Sequence, residues 1–430
     1  MTAAPSMTAA LVQGDRGAIP SVAGAEAATA RSHLYAVDVV RLLTVAGVIA
    51  VHATSLTVGS TARGALAAGV VLVLLHVTRE VFIFLTAFVL GFRYRADSVE
   101  KRAFWKRRYL VVVVPYVVWS LIYVLADGHL TSPGTVLARY AEDLATGGAR
   151  FHLYFLLITF QIYAVFPWVI RWVRRVRPAP LLAASLALQL AFTAGTHYWT
   201  SAPGPLGAIF DYPGSWLWSY QFYLIAGLLA AVHFDAVTDW VDHHRRLIVA
   251  GSLGVAAAVL ASYAVDLTVL GMAPVKASEV FQPAVVLGSI AAIAGQYALG
   301  LWVNERLEAR RASARTARRR VRLASASDVS FGVFLSHPLL LQAVLAVAGA
   351  TGLSVALGGL PVVAQLALVL GVLVPGVYLI AAALIGVARR TPLSLALAGR
   401  RGPVPWRRRE HVPPPSADRP GLGPALSPAL

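Results

Sequence analysis

The sequence predicts an all-α, polytopic transmembrane helical bundle of about ten spans with both termini cytoplasmic, and three observations predict it. Of 430 residues, 58% are hydrophobic and only 13% charged, with mean hydropathy +0.68; that composition belongs to multispanning membrane proteins. Ten apolar segments, about 34–58, 66–92, 109–126, 152–170, 180–198, 216–233, 247–270, 283–303, 329–350 and 361–387, approach the roughly 20 residues a span needs. With the N-terminus placed in the cytoplasm, 31 of the 37 Lys and Arg residues fall on the inner side, and the outer loops hold only Arg63, Arg139, Arg150 and Lys276. Nine or eleven spans is the alternative, because 180–198 is weak, but a one-span error there breaks the charge alternation downstream. The net charge of +17 then follows from membrane orientation and implies no nucleic-acid partner. The absence of cysteine excludes disulfides, thiolate metal sites and a cysteine acyl carrier.

Residues 1–33, rich in Ala, Gly, Ser and Pro, read as a disordered cytoplasmic leader, 34–388 as the membrane domain, and 389–430 as a basic, Pro-rich, disordered tail. The first span carries Asp38, Arg41 and His52, although an ionisable group near mid-membrane costs roughly 2.5–3.5 kcal/mol. Arg41 and His52 are eleven residues apart, so they return to within about 20° of one helix face, with His52 about 16 Å further out. Their alignment predicts a shared polar cavity. An arginine at the inner end can meet an anion such as a phosphate, and a deeper neutral imidazole can accept a hydroxyl proton. The plainer alternative pairs Asp38 with Arg41 and leaves His52 on a carbonyl.

In the second span, HVTREVFIFLTAF sets His76, Arg79 and Glu80 near mid-membrane. Arg79 and Glu80 diverge by about 100°, so each is expected to seek a partner elsewhere. Glu80 can orient His52 as a carboxylate orients the base of an acyl-transfer triad, or simply bridge an arginine to hold the bundle. The following basic run, including Lys106, Arg107 and Arg108, can grip a polyanionic donor or merely obey topology. Pro115 in the third span is tolerated in a lipid-buried helix. His152 opens the fourth span at the outer boundary, facing either a substrate or wet headgroups, with Tyr154, Trp168 and Trp172 as interfacial anchors. In the ninth span, SFGVFLSHP places His337 before Pro338 in the inner half of the membrane, where proline frees a carbonyl; a hydrogen-bonded core histidine is the alternative. The acidic and histidine-rich DAVTDWVDHHRR connector is wet, and no metal site is expected. No phosphate-loop or dinucleotide fingerprint is present.

Taken together, five segments resemble acyltransferase family 3, multispanning enzymes that O-acylate envelope glycans and lipids. These are Asp38-x-x-Arg41 followed by His52, REVFIFLTAF, the basic loop closed by Pro115-Tyr116, HLYFL at His152, and SFGVFLSHP. They occur in family order across roughly 34–345. The resemblance implies that His52 is the catalytic histidine, that Arg41 helps hold acyl-CoA, and that Arg108 contributes. Thr86-Ala87 replaces the family's Ser-Gly, Tyr154 its Trp, and Val111 a second arginine, for which Lys106 and Arg107 can substitute electrostatically. The expected protein is a plasma-membrane O-acyltransferase. It has no bound cofactor, uses acyl-CoA, preferably acetyl-CoA, as co-substrate, and acylates a glycan, glycolipid or metabolite acceptor. His52 and Glu80 carry the chemistry; Asp38, Arg41, Arg79, Lys106, Arg107, Arg108, His152 and His337 contact substrates. The rival expectation is an exporter of a polysaccharide or polar solute that uses the same buried charges as a path.

Overall fold

In a computed structural model of the chain, residues 35–95, 98–128, 132–199, 213–310, 313–400 and 402 are described. The leader expected at 1–33 and the tail beyond 402 lie outside them. Among the described residues the chain is helical throughout, without strands. Helix α1 spans Tyr35–Leu56; α2 (Ala65–Leu75) and α3 (Thr78–Arg93) form one broken span; α4 covers Lys101–Ala126. A short amphipathic α5 (Pro133–Thr146) precedes α6 (Tyr154–Val173) and α7 (Pro178–Tyr198). Then come α8 (Gln221–Val232), α9 (Phe234–His243), α10 (Arg245–Thr268), α11 (Pro283–Glu308) and α12 (Ala314–Ala350). The last span is α13 (Val362–Leu368) joined by a π turn to α14 (Val374–Ala388), and a small helix α15 (Ser394–Ala398) follows.

Nine of the expected spans are helices long and apolar enough to cross a membrane, among the described residues. The sixth, α8, is short and meets α9 at a 93° bend. The weak segment at 180–198 is a full helix, α7, whose apolar window is only 17% buried. That places it at the rim of the bundle, where lipid rather than protein covers its side chains.

Helix α1 sits at the centre. Val45, Ile49 and Ala53 are fully buried, and α1 packs against α3, α11, α12 and α14. Small residues permit this crowding. A Cβ on Gly300 of α11 would lie 2.7 Å from the Ala36 carbonyl oxygen, and one on Gly227 of α8 would lie 2.5 Å from that of Phe84 in α3. Such backbone approach is how membrane helices gain packing energy without a hydrophobic drive between them.

The long α12 corrects one depth assignment. Its arginine-rich first turns are already helical, so His337 lies 23 residues beyond Ala314, about 35 Å along the axis. His337 therefore stands beside His52 and His152, in the half of the bundle opposite to the basic ends, rather than in the half assigned from the onset of hydropathy at 329. The first part of the expected tail is also folded. Helix α15 packs on α4, α12 and α14, and the Trp119 indole N–H donates to the Leu397 carbonyl at 3.2 Å.

Candidate active site

Two cavities lie along the inner face of α1. The first, about 300 Å³, is lined by Arg41 of α1, Thr86 of α3, Arg108 and Val111 of α4, Ser327 and Asp328 of α12, and Gly399 and Arg400 after α15. Arg41 donates to the Ser327 hydroxyl at 3.1 Å. The buried Nε of Arg108 has no hydrogen-bond partner. Asp38 is buried one turn before Arg41 and attracts it, but does not line the cavity. Lys106 and Arg107 are exposed on α4 and do not reach it either. Only Arg108 of that basic run turns inward.

The second cavity, about 240 Å³, is lined by His52 and Ser55 of α1, His76, Thr78 and Arg79 around the α2–α3 break, and Phe151, His152 and Tyr154 at the start of α6. The break in the second span is what delivers three polar side chains to one place. The His52 ring lies 4.2 Å from that of Phe151 and stacks 5.5 Å from that of His337; His152 and His337 are 5.3 Å apart, centroid to centroid. His152 is buried rather than wet. Neither ring nitrogen makes a well-formed hydrogen bond, although the Leu335 backbone lies close by. His337 is fully buried behind His52 and does not line the cavity.

Pro338 explains the orientation of His337. Lacking an N–H, it leaves the Phe334 carbonyl of the preceding turn free, and His337 Nδ1 binds that oxygen at 2.7 Å. A carbonyl only accepts, so Nδ1 carries the proton and the neutral ring keeps its lone pair on Nε2. That buried Nε2 has no partner.

Two expectations need correction. Glu80 makes no contact with His52; its Oε1 accepts from Arg79 Nη2 at 2.8 Å and from Nε at 3.2 Å. The divergence of the two Cβ directions is real, but the arginine side chain is long enough to fold back across it. Arg79 is further held between the rings of Phe281 and Tyr220, at 4.3 and 4.7 Å, and donates to the Tyr154 hydroxyl at 3.4 Å. Its charge is answered within the protein.

The second correction concerns the shared chamber. Arg41 and His52 open into different cavities, and the boundary is aromatic: Phe82, Phe155 and Phe334 line both. Their centroids are 5.1 Å (Phe82–Phe155), 5.6 Å (Phe82–Phe334) and 5.7 Å (Phe155–Phe334) apart. Helical spacing set the two polar residues on one face correctly. It carried no information about rings entering from α3, α6 and α12. Those three phenylalanines, with Ser55, Phe151, Ser327, Asp328 and Arg400, are among the lining residues that the sequence did not single out, although all three phenylalanines stood inside the quoted motifs.

The arrangement is a cavity lined by three histidines beside an arginine-lined one, with three phenylalanine rings shared between them, inside a membrane bundle. The family model described as an acyltransferase domain matches residues 34–382, and the chain belongs to acyltransferase family 3. No curated protein and no solved structure matches it. The protein is thus a multispanning membrane acyltransferase, transferring groups other than aminoacyl groups.

Proposed function

We propose that the protein moves a short acyl group, acetyl by preference, from cytoplasmic acyl-CoA to a hydroxyl of an envelope glycan, glycolipid or secreted metabolite at the plasma membrane. The observation that carries this reading is the pairing of the two cavities across one ring boundary. The arginine-lined cavity suits the phosphates of CoA, and it lies at the end where the basic termini gather: Arg320 pairs with Glu308, Arg245 with Glu305, and Arg174 donates to the Tyr94 carbonyl. A basic face of this kind is cytoplasmic under the positive-inside bias. The pantetheine arm passes between Phe82, Phe155 and Phe334, bringing the thioester to the histidine cavity.

There His52 accepts the proton of the acceptor hydroxyl as its oxygen attacks the thioester carbonyl. The carbon–sulfur bond breaks with its electron pair on sulfur, and the proton passes to the CoA thiolate, giving ester and free CoA. The His152 ring, without a well-formed bond of its own, supplies an N–H to the carbonyl oxygen as negative charge develops. Glu80 and Arg79 brace the cavity wall and take no part in proton transfer. With no cysteine available, direct transfer is the simplest course.

The test uses purified protein in vesicles with labelled acetyl-CoA on one side and an envelope extract on the other. Wild-type protein forms labelled ester. His52→Ala, at equal protein level, loses about 10²–10⁴-fold in rate, the usual contribution of a positioned base. Undiminished ester formation by His52→Ala contradicts the mechanism.

A further inference from the structure

The chain beyond the last span folds back into the donor cavity. Arg389, whose side chain is only 4% exposed, lies 3.5 Å from Asp328 and donates to the Gly402 carbonyl at 3.1 Å. Helix α15 then docks under the bundle, and Gly399 follows with φ +65°. A Cβ at 399 would stand 2.6 Å from the Phe331 ring and 3.1 Å from the Val111 carbonyl oxygen. Both the left-handed backbone and the lack of space demand glycine here. The turn so fixed places Arg400 in the same cavity wall as Val111, one helical turn along α4 from Arg108.

Arg400 pairs with Asp328, which Arg389 also contacts. Three arginines and one aspartate line the cavity, leaving a net charge of +2 among its lining groups. Arg41 and Arg108 are partly buried, whereas the Arg400 side chain is 54% exposed at the mouth.

We propose that the Gly399–Arg400 turn is a third anchor of the donor site, with Arg400 binding the outermost phosphate of CoA, the 3′-phosphate on the ribose. This rests on the reading of the arginine-lined cavity as the CoA site. Asp328 holds the Arg400 fork in place, and an incoming phosphate takes up donors that the aspartate leaves free. The post-span segment is thereby part of the substrate site rather than a solvent-exposed tail.

The experiment is calorimetric titration of the full-length protein in nanodiscs with CoA and, separately, with 3′-dephospho-CoA. Arg400→Ala is expected to weaken CoA about 5–20-fold, below the full value of a buried charged hydrogen bond because the site is half open. The same variant should bind 3′-dephospho-CoA within about twofold of wild type, since the group it serves is absent. Arg400→Lys should recover part of the loss, keeping the charge but not the fork. Equal loss toward both ligands would show a structural role and overturn the proposal, as would unchanged CoA binding. Arg41→Ala separates the two levels. If it loses CoA while Arg400→Ala does not, only the anchor falls; if the unaltered protein binds neither ligand, the donor-site reading falls with it.

Discussion

The two cavities differ in what they do with charge. On the arginine-lined side, cations are left available: the Arg108 Nε has no partner, and Arg400 and Arg389 share a single aspartate. On the histidine side the one cation, Arg79, is fully engaged by Glu80, two aromatic rings and Tyr154. One side presents several guanidinium groups to its cavity, and the other has ring nitrogens without fixed charge. A thioester donor has that same division, with phosphates at one end and a neutral reacting carbonyl at the other. The rings of Phe82, Phe155 and Phe334 keep the two environments apart.

The largest effect that tests this contrast is on stability. Glu80→Gln leaves Arg79 buried without a counter-charge, and breaking such a pair costs about 3–5 kcal/mol. The thermal midpoint of the detergent-solubilised protein should fall clearly. The double variant Glu80→Gln/Arg79→Gln should regain part of the loss, because the orphaned charge is gone. Unchanged stability with a collapse in turnover would reveal Glu80 as a catalytic partner of His52, and the histidine side would then hold an active charge after all.

Arg41→Ala comes next. Removing a partly buried guanidinium from the anion-binding side should raise the KM for acetyl-CoA about 10–100-fold with little change in kcat, the signature of lost ground-state binding. An equal fall in kcat would place Arg41 on the reacting carbonyl and abolish the division between grip and chemistry.

How much of this was legible in the sequence depends on which physical signal carried it. Nine of the ten expected spans were legible in hydropathy, which averages over many residues, and the tenth is the bent α8–α9 pair. The common face of Arg41 and His52 followed from helical periodicity alone. A bridge from Glu80 to an arginine stood only as the alternative to a role beside His52, because Cβ directions say nothing of how far a long side chain can bend. His337 was set too close to the basic face because hydropathy begins at 329, whereas the helix begins at Ala314. The wall between the cavities needs rings from three helices, a tertiary fact without local periodicity. Arg400 left only one trace, a glycine after a short apolar stretch, which is a common way to end a helix.

Phe82 offers a smaller effect that acts on the wall itself. It is half-buried and borders both cavities. Phe82→Ala should raise acceptor-independent hydrolysis of acetyl-CoA about 5–10-fold, since each ring contact it makes, edge-on to Phe155 and tilted to Phe334, contributes about 0.5–1.5 kcal/mol to closure. Phe82→Leu should lie between the two. Free CoA release in the absence of acceptor is the measurement, and no increase would mean that the rings are filling rather than a barrier.

The smallest expected effect separates surface charge from cavity charge. Lys106 and Arg107 precede Arg108 directly, yet both are exposed and neither lines the arginine-lined cavity. A charge on the membrane surface is screened within about 8 Å at physiological ionic strength, so each contributes to donor binding only through the general basic field. Lys106→Ala and Arg107→Ala should therefore change the KM for acetyl-CoA less than about twofold at 150 mM salt, with a slightly larger change at low salt. Arg108→Ala should raise it at least about fivefold at both, because its Nε is buried where screening is weak. Similar effects from all three would mean that the donor reads the whole basic stretch as a surface, and the inward turn of Arg108 would then explain nothing about binding.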